Sequence, residues 1–231
     1  MPRRARATTV CARIRSAVVR LAAVPLVVLA FAASQASIRP LPTPLQRELA
    51  GPFWHEGCPV SFSQLRVLSV RYWAFDGRAR VGQLIVNADV ASSLARVFRK
   101  LYELRFPIRH MLLDDAYGPK SARPADGDVS DAFECRQAVV SPCTSSTSKG
   151  TGHWSEHAYG HAVDLNPVEN PYVGCGMSRD TRSRPYLDRS RPRPGMVTAD
   201  VVAAFRSVGW GWGGSWSGAT KDYMHFSASG H

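Results

Sequence analysis

The 231-residue sequence predicts an α+β fold, a single domain with a small antiparallel sheet flanked by helices. Three observations predict it. Two β-rich runs meet at Asp76 and Gly77, a helical apolar stripe follows directly over residues 88–104, and the later short apolar runs are separated by long polar loops without an internal repeat. With 45% apolar and 10% aromatic residues the chain has enough material for a packed core, which excludes a disordered protein.

Residues 1–36 carry six arginines (Arg3, Arg4, Arg6, Arg13, Arg15, Arg20) and no Asp or Glu, so they hold +6 of the formal net charge of +11. Residues 21–33 are uncharged, and the small residues Ser34 and Ala36 flank Gln35. A basic stretch, a short apolar core and a small-x-small site have the layout of a secretory signal peptide. The apolar run is shorter than the roughly 20 residues of a membrane span. An uncleaved N-terminal anchor is the alternative, and contact with a membrane is expected only through it. The rest of the chain is expected to be secreted or associated with the cell wall.

Residues 37–57 contain four prolines and no clean periodicity, and read as a linker or extended arm, with the domain proper expected over 58–231. Residues 66–75 and 78–86 read as a hairpin around the Asp-Gly pair. In 88–104, Val90, Leu94, Val97, Phe98, Leu101 and Leu104 form the stripe, Asn87 or Asp89 is available as cap, and Pro107 closes the helix. Residues 108–113 are expected as a short strand. Residues 114–152 read as irregular, including a low-complexity turn at 144–152. A short strand is expected at 162–165, a second long loop at 166–194, and a helix at 199–208 with Val201, Val202, Phe205 and Val208 on one side. The Trp/Gly-rich residues 209–216 and the run 221–226 complete the pattern.

A pI near 10.0 invites a nucleic-acid partner. The distribution of charge argues against one. Beyond the N-terminal segment only +5 remains, and residues 179–193, with six arginines and two aspartates, supply +4 of it. That loop is expected to be solvated, no nucleic-acid module is legible, and a monomer is expected.

Cys11 lies in the segment expected to be removed, which leaves Cys58, Cys135, Cys143 and Cys175. An even number in an oxidising compartment points to two disulfides, and no C-x-x-C or zinc-ribbon spacing occurs. The sequence does not choose among the three possible connectivities. The pairing we expect is Cys58 with Cys135 and Cys143 with Cys175.

Three of the seven histidines, His153, His157 and His161, fall in one short window, followed by Asp164, and His225 sits in Lys-Asp-Tyr-Met-His-Phe. Two zinc readings compete. His157 and His161 have the i, i+4 spacing of a helical metal pair, but Glu is missing after the first His and Gly160 interrupts the helix. The other set, His157, Asp164 and His225, offers two imidazoles and one carboxylate and leaves a position open for water, as a catalytic zinc requires.

The run Ser155-Glu156-His157-Ala158-Tyr159-Gly160-His161-Ala162-Val163-Asp164 reads as S-x-H-x-x-G-x-A-x-D, and Asp222-Tyr223-Met224-His225 as an acid-x-x-His ending. Together they resemble the zinc D-alanyl-D-alanine carboxypeptidase and L-alanyl-D-glutamate endopeptidase family, whose members cut peptidoglycan stem peptides. Residues 72–86, Phe106-Pro107-Ile108-Arg109, Phe133-Glu134-Cys135-Arg136 and the Trp/Gly run extend the resemblance over roughly residues 58–226. It implies a zinc site between sheet and loops, with His157, Asp164 and His225 as ligands and Asp222 as general base. It also implies that Arg136 binds the anionic stem peptide, where a guanidinium pairs bidentately with a carboxylate. Ser155 is expected either to hydrogen-bond substrate or to orient its loop.

Asp at the base position, where many carboxypeptidase members have Glu, together with the Trp/Gly-rich approach, resembles the L-alanyl-D-glutamate endopeptidase branch. D-alanyl-D-alanine carboxypeptidase is the alternative, and a non-catalytic wall-binding module on the same fold is the rival from another class. Arg109 reads as a solvated residue or a second basic contact. His153 and His161 read as polar or exposed. Trp210, Trp212 and Trp216 either line a substrate groove or pack in the core.

Overall fold

The hairpin forms where the Asp-Gly pair predicts it. In the computed structural model, strands β2 (Leu65–Ala74) and β3 (Ala79–Asn87) pair antiparallel, in register from Leu65 opposite Asn87 to Trp73 opposite Ala79. The Gly77 N–H donates to the Ala74 carbonyl and the Ala74 N–H to the Arg78 carbonyl, both at 2.9 Å. Gly77 occupies the left-handed position of this loop at φ +75°, where a side chain would be strained.

Residues 1, 36–141, 143 and 152–231 are described. The described residues from Ala36 to His231 belong to one compact unit. The expected signal segment, apart from Met1 and Ala36, lies outside the described residues, as does most of the 144–152 turn. Among the described residues no helix is long and apolar enough to cross a membrane.

Helix α2 (Ala88–Glu103) realises the predicted stripe. The Asn87 side chain caps it by accepting from the Asp89 N–H, Asp89 sits in the first turn, and Lys100 in the last, each placed to suit the helix dipole. It ends where Arg105 turns left-handed at φ 54°, just before Pro107. Leu94, Val97, Phe98 and Leu101 bury against Leu68, Val70, Tyr72 and Ala74, the alternate residues of β2 that share one face. Leu94 is 0% exposed. Its replacement by alanine is expected to cost about 2–5 kcal/mol, read as a lower urea midpoint at unchanged slope.

The arm expected at 37–57 is instead part of the fold. Strand β1 (Ala36–Pro40) pairs antiparallel with β2, and helix α1 (Thr43–Leu49) follows it. Leu41, Leu45 and Leu49 bury in a second core cluster with Leu65, Val67, Ile85, Tyr117 and Phe133. The prolines misled because they occupy places that tolerate them: Pro40 ends an outer strand, Pro42 is the N-cap of α1, and Pro44 lies in its first turn, where no helical N–H is lost.

The strand expected at 108–113 is shorter. Strand β4 (Pro107–Ile108) pairs parallel with β2, so this sheet is mixed, and helix α3 (Leu113–Tyr117) starts soon after. Helix α4 (Glu156–Tyr159) and strand β5 (Ala162–Asp164) follow. The loop expected at 166–194 holds a hairpin of β6 (Tyr172–Gly174) and β7 (Met177–Ser178). Its two turn residues, Cys175 and Gly176, both have positive φ, 51° and 77°, as a primed turn demands. Helix α5 (Ala199–Arg206) packs on α2, and strands β8 (Gly211–Trp212), β9 (Thr220–Asp222) and β10 (His225–Ser227) complete the chain order. The strands form three small sheets among the described residues: β1-β2-β3 with β4, β5-β10-β8, and β7-β6-β9. The fold is α+β with its second and third sheets antiparallel.

Both expected disulfides are present. Cys58 joins Cys135 and Cys143 joins Cys175, with Cα separations of 5.9 and 5.3 Å.

Candidate metal centre

Ser155 caps α4 by accepting the His157 N–H at 3.3 Å, and Gly160 ends it in the left-handed region at φ 69°. A Cβ on Gly160 would come within 2.6 Å of the Asn87 backbone nitrogen, so glycine is required both for the turn and for the contact. The Asn87 N–H donates to the Gly160 carbonyl at 3.0 Å, which ties this turn to the start of α2. One short helical turn thus presents His157, and β5 leaves Gly160 to deliver Asp164.

His225 arrives from the far end of the sequence as the direct antiparallel partner of Asp164. Side chains of such facing residues share one face of the sheet and meet. The His157 Nε2 lies 3.2 Å from His225 Nδ1 and 3.3 Å from Asp164 Oδ2, and His225 Nδ1 lies 3.1 Å from Asp164 Oδ1. His157 and His225 are buried. His157 turns its Nδ1 to the Ala132 carbonyl, and His225 its Nε2 to the His231 carbonyl. In the tautomer that binds a metal, each ring carries its proton on this outer nitrogen and turns the lone pair of the inner one to the cluster.

Two imidazole lone pairs 3.2 Å apart beside a carboxylate repel unless a proton or cation lies among them. Ligands at about 2.0–2.1 Å from a tetrahedral zinc lie roughly 3.3 Å from one another, the spacing these atoms already have. The donor set fits zinc.

The charges point the same way. Burial works against a charged His157 ring, yet the Asp164 carboxylate outweighs it and lifts the group to about 9. Burial likewise opposes the Asp164 charge, but the two histidines hold that carboxyl well below its ordinary range. Asp222 is pushed up to about 7, by burial first and then by Asp164. The nearby Asp131 is also pushed up to about 7 for the same two reasons. Three clustered carboxylates against two imidazoles make a site that attracts positive charge.

Asp222 ends β9, opposite Tyr172. Its Oδ1 is buried and has no hydrogen-bond partner among the described residues. A Cβ on Gly213 would sit 2.5 Å from the Asp222 carbonyl oxygen, which explains one glycine of the Trp/Gly run: it lets that backbone close on the acid.

His157, Asp164, His225 and Asp222 share a cleft of about 240 Å³ whose walls include Arg136, Ser155, Tyr172 and Trp216. Arg136 is brought to the site, its Nε donating to Glu134 at 2.6 Å. Ser155 is there too, with its hydroxyl engaged in the helix cap. The i, i+4 metal pair does not form, because His161 lies beyond α4 and meets Asp89 at 3.0 Å. Arg109 is not in the cleft and is half-buried: it binds Asp128 at 3.0 Å and Glu169 at 2.6 Å and covers the Phe75 ring. In the arginine loop, Arg189 is an exception to the expected solvation, since it holds the carbonyls of Glu169 and Val197 and lies over Tyr223. Trp210 is buried in the main core, Trp212 packs against that core, and Trp216 borders the cleft. Sequence reasoning missed Asp131 and His231. Asp131 forms an isolated bridge with Asp164, a contact that no local spacing announces.

Residues 149–228 match the model of the D-alanyl-D-alanine carboxypeptidase family. The stretch similar to that family contains His157, Asp164, His225, Asp222 and Ser155, and stops short of Arg136 and the hairpin. It supports the resemblance read from the motifs and, at the family level, a peptidoglycan-related metallopeptidase. No curated protein and no solved structure matches the chain.

Proposed function

We propose that the chain is a secreted or wall-associated zinc metallopeptidase that hydrolyses peptide bonds of peptidoglycan stem peptides. The convergence of His157 Nε2, His225 Nδ1 and Asp164 within 3.1–3.3 Å of one another carries the reading, with Asp222 in the same cleft. Zinc held there supplies Lewis acidity, which acidifies a water and polarises a carbonyl oxygen. The protein residues do the rest. Asp222, with a free Oδ1 and a proton affinity raised to about 7, takes a proton from the attacking water and passes it to the leaving amine. Arg136 pairs with a carboxylate of the stem peptide and orients it. Ser155 holds the turn that presents His157.

The bond we favour is L-alanyl-D-glutamate. Asp222 at the base position and the Trp/Gly run that closes on it support that reading. D-alanyl-D-alanine carboxypeptidase is the second reading, favoured by the description of the matched family. Mass spectrometry of digested muropeptides separates them: a carboxypeptidase releases free D-Ala, and an endopeptidase splits L-Ala from D-Glu. Stoichiometric zinc with no hydrolysis of any muropeptide would favour the wall-binding module instead.

Arg136→Ala is expected to raise KM for an anionic stem peptide while leaving zinc affinity in place. An unchanged kcat/KM would remove Arg136 from the substrate site.

A further inference from the structure

We propose that the main-chain carbonyl oxygen of His231, part of a carboxylate where this residue ends the chain, is a positioning element of the metal centre, holding His225 in the tautomer that offers Nδ1 as a ligand. The inference rests on the zinc reading above. A ligating imidazole needs its other nitrogen to donate to a fixed acceptor, which sets both the tautomer and the ring angle. For His157 that acceptor is the Ala132 carbonyl, inside the core. For His225 it is the His231 carbonyl, 3.3 Å from Nε2 and six residues further along the chain.

That carbonyl is held from several sides. The Ser227 hydroxyl donates to it at 2.9 Å, and the His231 N–H is in turn taken by the Ser229 hydroxyl at 3.2 Å. One residue earlier, the Trp216 indole N–H donates to the Gly230 carbonyl at 2.7 Å. Two glycines permit the approach. Gly230 stands at φ +82°, and a Cβ on Gly211 would come within 2.5 Å of the Gly230 Cα. Residues 228–231 therefore fold back toward β8 and β10, and His231 forms part of the cleft wall. The sequence alone shows only the short run Ser-Ala-Ser-Gly-His after Phe226.

The test compares the full chain with a form lacking residues 229–231 and with His231→Ala, which keeps the carbonyl and removes the ring. Zinc affinity is read by competition with a chromophoric chelator, and the His225 tautomer of the metal-free protein by nitrogen-15 NMR. Removal of 229–231 is expected to weaken zinc about 10–100-fold and to lower the Nε2–H share of His225. His231→Ala is expected to keep both readouts. Should the shortened chain not fold, Ser227→Ala, which removes one donor fixing the carbonyl, is expected to shift both in the same direction by a smaller amount. Unchanged affinity and tautomer in the shortened chain, or equal losses in His231→Ala, would overturn the proposal. A full chain that binds no zinc would instead sink the metal reading, while the tautomer measurement would still judge the role of the carbonyl.

Discussion

His157→Ala and His225→Ala are each expected to lose zinc, from about one ion per chain to near none, and to bring hydrolysis of stem peptides down to background. Three protein ligands are the least that hold a catalytic zinc, and the two imidazoles are the neutral, strongly basic part of the set. Both rings are buried, so each alanine also leaves a space beside Asp164, whose charge then has one partner fewer. The measurement is metal content after dialysis, with circular dichroism to show that the fold survives. The chelated wild-type protein should match the variants in activity and regain it when zinc is restored. Full zinc content in either variant would remove that histidine from the ligand set.

Asp222→Asn separates chemistry from binding. The amide keeps the shape of the side chain but accepts no proton, so kcat is expected to fall about 10²–10⁴-fold with zinc content and KM little changed. The pH dependence follows from the raised proton affinity. A base acts only when deprotonated, so wild-type kcat/KM should fall as pH drops through the Asp222 titration. That titration stands at about 7 without metal and is drawn lower by a neighbouring cation. The acidic limb should be missing from what activity Asp222→Asn retains. An Asp222→Asn protein with full turnover would end the assignment of the base.

The convergence of the candidate ligands was largely legible because much of it is local. His157 and Asp164 are joined by one capped helical turn, a left-handed glycine and a short strand, and each step has its own residue signal: Ser155, Gly160, and the apolar pair Ala162 and Val163. Helix α2 and the 65–87 hairpin were legible for the same reason, since their periodicity and turn chemistry lie within the segment itself. The segment 37–57, expected as an arm, was not. Its prolines look identical in a linker and in an outer strand followed by a first helical turn, and only burial of Leu41, Leu45 and Leu49 distinguishes the two. From the sequence Arg109 reads as a solvated residue or a second basic contact, because its partners, Asp128 and Glu169, stand 19 and 60 residues away.

By itself the sequence determined the α+β class, the hairpin and its glycine turn, the helix behind it, and a set of metal-ligating residue types. Tertiary structure decided where those residues meet. It set His225 opposite Asp164 in register, selected one cysteine pairing of three, brought Asp222 to the cleft and Asp131 beside Asp164, and turned the His231 carbonyl onto His225. The physical reason is range. Helical and strand periods, caps and turns act over a few residues, whereas strand pairing and the closure of a buried charged cluster depend on which segments the core brings together.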